Sequence, residues 1–213
     1  MKERIENQEK ERFWNLQAWK LKDIILVSLL GVMFALIIFP IVHFVLIPIV
    51  IVGGWFGIAD LPFDIAFGLF TMSAVLGPYI MRKPGVAIVV GGLTGLVQVF
   101  MASTFSSTVF ISGLVQGIGA EIAFAIFRYK KYNWTTMLLA AFGATVASFI
   151  LAWYRDLLSG LSFDILAIRF ILRLISVLII SGVVSKLLAD GLAKAGVLKA
   201  YPIGETSEDN LDD

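Results

Sequence analysis

The chain of 213 residues has no cysteine and a single histidine. The first absence excludes disulfide staples, thiol nucleophiles, iron–sulfur clusters and cysteine-bound zinc; the second excludes the two-histidine metal motifs. The lone His43 lies in "FPIVHFVLIP", where a packed or hydrogen-bonded ring is expected rather than a metal ligand. Charge is scarce too. Only 15% of residues are charged against 59% hydrophobic, and the mean hydropathy is +0.90, which excludes a soluble globular domain of this size. A net charge of +1 gives no reason to expect nucleic acid. Catalytic motifs are missing as well: there is no GxSxG, no HExxH and no pair of acids at helical spacing within an apolar run. No enzyme activity, cofactor or metal is expected.

What the chain does have is long apolar runs. Crossing about 30 Å of hydrocarbon takes about 20 apolar residues, and such runs lie near 24–40, 62–81, 85–103, 108–128, 134–154 and 163–186. The segment 41–59 is apolar but carries Pro48 and Gly53-Gly54. Six spans starting from the inside place every Lys and Arg except Arg155, Arg169 and Arg173 on the cytoplasmic side, as basic loop residues require; a seventh span at 41–59 would scatter them. The expectation is therefore an all-α integral membrane protein, a six-transmembrane-helix bundle with cytoplasmic N- and C-termini. Residues 1–22 read as an uncleaved amphipathic segment on the inner surface, with Phe13, Trp14 and Trp19 at headgroup level, or as a charged solvated lead-in. Residues 23–199 form the membrane domain, with 41–61 an outer extension of the first helix plus a hydrophobic cap broken by Pro and Gly, and 200–213 is an acidic, disordered cytoplasmic tail.

Polar residues inside spans mark pairs, pathways or sites. Gly113, Gly117 and Glu121 share one helix face at i, i+4, i+8, and the glycines mark it as approached by another helix. Gly91 and Gly95 form a similar pair beside Thr94 and Gln98, and Arg169, Arg173 and Ser176 make a polar stripe in the last span. Counted from the outer helix ends, Glu121 lies roughly 20 Å deep and Arg173 roughly 15 Å. An ion pair between them is expected; contact of Glu121 with a ligand and local hydrogen bonding are the alternatives.

The runs "RKPG" (82–85), "VQGIGAE" (115–121), "ATVASFI" (144–150), "LRLIS" (172–176) and "LAKAGVL" (192–198), in this order, resemble the YkoE-like substrate-binding (S) components of energy-coupling factor (ECF) vitamin transporters. The resemblance covers the chain from the first span to about residue 198. It implies an S-component fold that captures hydroxymethylpyrimidine or thiamine at the outer face. Delivery inward would be driven by a transmembrane coupling (T) subunit and two cytoplasmic ATPases. The ATP chemistry then belongs to the partners, in keeping with a chain that has no GxxxxGK[ST] loop.

In this family helix 1 docks on the coupling subunit through small residues, which Gly31 and Ala35 in "GVMFA" match; the alternative is internal packing. The family's carboxylate is present at Asp64, whereas positions matching further acids hold Gly91 and Gln98. That departure favours the neutral hydroxymethylpyrimidine over cationic thiamine. The expected substrate contacts are Asp64, Gln98, Gln116, Trp153, Tyr154 and Trp55. The aromatic belt is the competing reading for Trp153, Tyr154 and Trp55, and interhelical hydrogen bonding for the glutamines. Asp60 reads as a solvated loop charge. A small ion-coupled secondary transporter or channel without an ATPase, and a purely structural membrane subunit, are the other classes in view.

Overall fold

The computed structural model describes residues 19–54, 61–101, 107–155, 158 and 160–204. Among them every regular element is helical. The helices are α1 Leu21–Pro40, α2 Ile47–Gly54, α3 Leu61–Met81, α4 Val86–Phe100, α5 Ser107–Ile126, α6 Trp134–Tyr154, α7 Phe163–Val177 and α8 Ser185–Lys194. Two π-helical stretches, Ile41–Leu46 and Leu178–Val184, join α1 to α2 and α7 to α8 without a break. Among the described residues four helical stretches are long and apolar enough to cross a membrane: Leu21–Gly54, Leu61–Met81, Ser107–Ile126 and Trp134–Tyr154. The apolar α4 is shorter, at 15 residues.

The helix ends follow from local chemistry. Asp23 accepts the Lys20 N–H at 2.8 Å and so caps α1. Asn133 accepts the Thr136 N–H at 3.1 Å at the start of α6. The α3–α4 turn ends on Gly85, whose φ of +82° suits glycine.

The Pro/Gly break expected in the 41–61 cap does not occur between 41 and 54. Pro48 cannot supply a helical N–H, yet the chain stays helical through Gly54. The π-helical stretch before it takes up an extra residue: the Ile47 N–H bonds to the carbonyl of Val42, five residues back. Trp55 and Asp60 lie outside the described residues, as do most of the N-terminal segment and residues 205–213; the start of the expected disordered tail is packed instead, with Tyr201 bonded to Lys22 and Ile203 buried in the core.

Packing radiates from α3, in which every residue from Thr71 to Met81 is buried and which touches each of the other helices. The α4–α5 pair is the tightest seam. A Cβ on Gly91 would stand 2.6 Å from the Gly113 carbonyl oxygen, and one on Gly117 2.6 Å from that of Ala87. The backbones therefore touch, as small residues allow between membrane helices. Polarity is inverted relative to a soluble protein. In α7, Arg169, Arg173 and Ser176 are buried, while Ile165, Ile168, Ile171 and Ile175 are exposed.

The sequence assigned Gly31 and Ala35 to docking, and the structure corrects this. Ala35 is fully buried, and a Cβ on Gly31 would meet Leu93 Cγ of α4 at 2.8 Å. The small pair admits a helix of its own chain and presents nothing to a partner. A small-xxx-small pattern records close approach without saying whose helix approaches.

The two ends of the bundle differ. At one end Lys22 reaches the Ala200 carbonyl, Tyr201 donates to the Lys22 carbonyl at 3.0 Å, and Lys83 pairs with Asp23 at 2.5 Å. This basic end also holds Arg128, Lys130 and Lys131. The opposite end contains a cavity.

Candidate functional site

The cavity has a volume of about 330 Å³, at the small end of ligand pockets. Four helices build its wall, each with one face at i, i+3/i+4 spacing. Phe63, Phe67 and Phe70 come from α3; Gly91, Thr94 and Gln98 from α4; Thr108, Ser112 and Gln116 from α5; Arg169 and Arg173 from α7. Arg155, just after α6, and Val42 add to it. The α4 and α5 contributions depend on the glycine seam, which brings the two helices close enough for Gln98 and Gln116 to share one cavity.

Both glutamines are buried. Gln98 Nε2 donates to the Thr94 carbonyl at 3.4 Å, and Gln116 Nε2 donates to Ser112 Oγ at 2.8 Å. Each side-chain carbonyl thus has no partner among the described residues and remains an acceptor. The α3 wall is aromatic, with Phe67 and Phe70 edge to face at 5.9 Å. The Arg173 guanidinium lies 4.2 Å from the Phe67 ring centre, within cation–π range.

Asp64 is fully buried behind this wall. Its Oδ2 accepts Arg169 Nε at 2.7 Å, and its Oδ1 accepts Arg173 Nε at 2.8 Å together with Arg173 Nη2. The expected Glu121–Arg173 pair is therefore replaced: Arg173 belongs to Asp64. Glu121 lies near the other end of α5, where its Oε1 accepts the Gly85 N–H at 2.6 Å and Tyr129 Oη at 2.8 Å, and its Oε2 accepts the Ala87 N–H at 3.0 Å. The carboxylate caps α4, where helix N–H groups are unpaired and the dipole favours an anion. Burial, and then the bond to Glu121, push the Tyr129 hydroxyl above the usual tyrosine range, so it remains a donor. Depth counted from the outer ends brought Glu121 and Arg173 level, but backbone partners leave no mark in a side-chain pattern.

Trp153 and Tyr154 are 54% and 84% exposed and do not line the cavity, which suits the aromatic-belt reading. Sequence reasoning did not place Arg155, Arg169 or the three phenylalanines in the site. The Phe63/Phe67/Phe70 spacing was the available signal for the latter. His43 stacks on Phe39 at 4.0 Å, and its Nδ1 lies 2.9 Å from the Phe39 carbonyl. Among the described residues no three His, Cys, Asp or Glu side chains come together to hold a metal.

Residues 22–147 match the family described as the permease component of an ABC-type cobalt transport system. Over 190 residues, covering 89% of this chain and 92% of the relative, the sequence is 31% identical to YkoE of Bacillus subtilis (strain 168), which is named for an HMP/thiamine permease role. The crystal structure of an S component of an ECF transporter superposes with a TM-score of 0.84 at 30% identity, covering 92% of this chain and 96% of that one. The chain belongs to the YkoE-like S components of ECF transporters. As an S component it is a multi-pass cell-membrane protein and a transport subunit.

Proposed function

We propose that this S component captures hydroxymethylpyrimidine or thiamine in the 330 Å³ cavity and hands it to a coupling T subunit and two cytoplasmic ATPases. In this reading six spans cross the bilayer, the termini and the basic end face the cytoplasm, and the cavity opens outward. The placement of lysine and arginine supports that orientation. One observation carries the cargo assignment: two glutamine carbonyls without partners among the described residues line a cavity whose α3 side is aromatic. An aminopyrimidine ring stacks on Phe63, Phe67 or Phe70 while its amino group donates to Gln98 and Gln116. Asp64 does not touch the ring in this arrangement; it holds Arg169 and Arg173 in place.

The test combines mass spectrometry of what co-purifies with the chain and calorimetric titration with hydroxymethylpyrimidine and thiamine. Binding of at least one that weakens in Gln98→Leu and Gln116→Leu is expected. Unchanged affinity in both variants would move the site elsewhere.

A further inference from the structure

The two glutamines of the cavity are held by different kinds of partner. Gln98 Nε2 donates to the Thr94 backbone carbonyl at 3.4 Å, and a carbonyl only accepts. Turning the Gln98 amide over would set oxygen against oxygen, so its own carbonyl is fixed as the group left for the cavity. The Thr94 hydroxyl does not compete for that amide, because it donates to the Val90 carbonyl at 2.8 Å and to Ser73 Oγ at 3.2 Å. Gln116 Nε2 donates instead to Ser112 Oγ at 2.8 Å, and a hydroxyl both accepts and donates. Turning the Gln116 amide over exchanges two atoms of nearly equal size and keeps the bond, with the Ser112 hydroxyl now donating to Oε1. The backbone need not move for this, and it is pinned by the contacts of Gly113 with Gly91 and of Gly117 with Ala87.

We propose that Ser112 allows Gln116 to face the cargo with either its carbonyl or its N–H groups, while Gln98 stays an acceptor. The inference rests on the proposed function for the aminopyrimidine ring and widens its substrate class: pyrimidines with an oxo group in place of the amino group bind as well. An amino cargo donates to both glutamine carbonyls. An oxo cargo carries a hydrogen on the ring nitrogen beside the oxo group, and that N–H donates to Gln98. Its oxo oxygen accepts from Gln116 Nε2 once the amide has turned. Two fixed acceptors would instead set a carbonyl against the oxo oxygen and leave buried acceptors unpaired, which is how a hydrogen-bonding site rejects an analogue strongly. Ser112 is a positioning residue here, since it acts on the cargo through Gln116.

The test is calorimetric titration of the full chain in detergent with two probes, hydroxymethylpyrimidine and its analogue with oxo in place of amino. The oxo probe is expected to bind within about tenfold of the amino probe, because each makes its hydrogen bonds to both glutamines. Oxo binding weaker by more than about a hundredfold, with the amino probe bound, overturns the inference and leaves the aminopyrimidine reading standing. If neither probe binds, both fall together. Gln116→Met separates the mechanisms by sign. A Gln116 that turns is a donor to the oxo probe, so its loss should weaken oxo binding about tenfold; a fixed carbonyl would repel that probe, so unchanged or tighter oxo binding overturns the inference. Ser112→Ala should weaken both probes severalfold without lowering the melting temperature, and Ser112→Thr, which keeps the hydroxyl, should restore them. Full affinity for both probes in Ser112→Ala removes Ser112 from the role. Should Gln116→Met fail to fold, the wild-type ratio and the Ser112 pair still decide.

Discussion

Asp64 and Glu121 are both buried acids in apolar helices, and the molecule treats them in opposite ways. Asp64, at the cavity end, is held by two guanidinium groups. Glu121, at the basic end, is held by two backbone N–H groups and a tyrosine hydroxyl. The first arrangement sets charge against charge at the wall of a cavity. The second uses dipoles that are fixed by the helix itself. A buried carboxylate in a membrane bundle can thus belong to a site or to the scaffold, and its partners tell which.

Breaking each acid in turn should separate the two roles. Asp64→Asn removes the carboxylate that two buried guanidinium groups share and should cost about 3–5 kcal/mol of stability, seen as a large drop in melting temperature. Combining it with Arg169→Met and Arg173→Met should restore much of that stability while abolishing cargo binding. Glu121→Ala leaves only neutral donors unpaired, so the loss should be about 1–3 kcal/mol, with Glu121→Gln milder because it keeps an acceptor. If Glu121→Gln proves as damaging as Asp64→Asn, the contrast is wrong.

Smaller effects sharpen the comparison by separating binding from stability. Gln98→Leu should weaken hydroxymethylpyrimidine binding by about 1–3 kcal/mol, read by calorimetry, with little change in melting temperature. Tyr154→Ala, at an exposed position outside the cavity, should change both by less than about 0.5 kcal/mol. A large loss of binding in Tyr154→Ala would bring the end of α6 into the site.

The helix positions were legible because apolar runs of spanning length are hard to read otherwise, and Met81, Ile126 and Tyr154 end helices close to where those runs stop. Gln98 and Gln116 stood out as uncharged polar residues beside helix-contact glycines, and both line the cavity. What stayed hidden were the partners. Arg173 and Glu121 showed that each needed one, but not that Asp64 reaches the first from a distant part of the chain or that backbone amides satisfy the second. Gly31 and Ala35 failed similarly, since a face made for close approach is the same whether Leu93 or another subunit arrives.

In a bilayer α1 and α4 make opposite demands. The continuous Leu21–Gly54 helix has 34 residues and is about 51 Å long at the α-helical rise, against a hydrocarbon core of about 30 Å. The 15-residue α4 measures about 22 Å, and it packs directly against α1. No single thickness suits both. Mismatch of this kind is met by tilting of a long helix and by local thinning of the bilayer around a short one, and α4 ends on the exposed Phe100. Phe100 is two residues from Gln98, so thinning there would bring water closer to the cavity, and lengthening the acyl chains of the membrane would work against cargo entry.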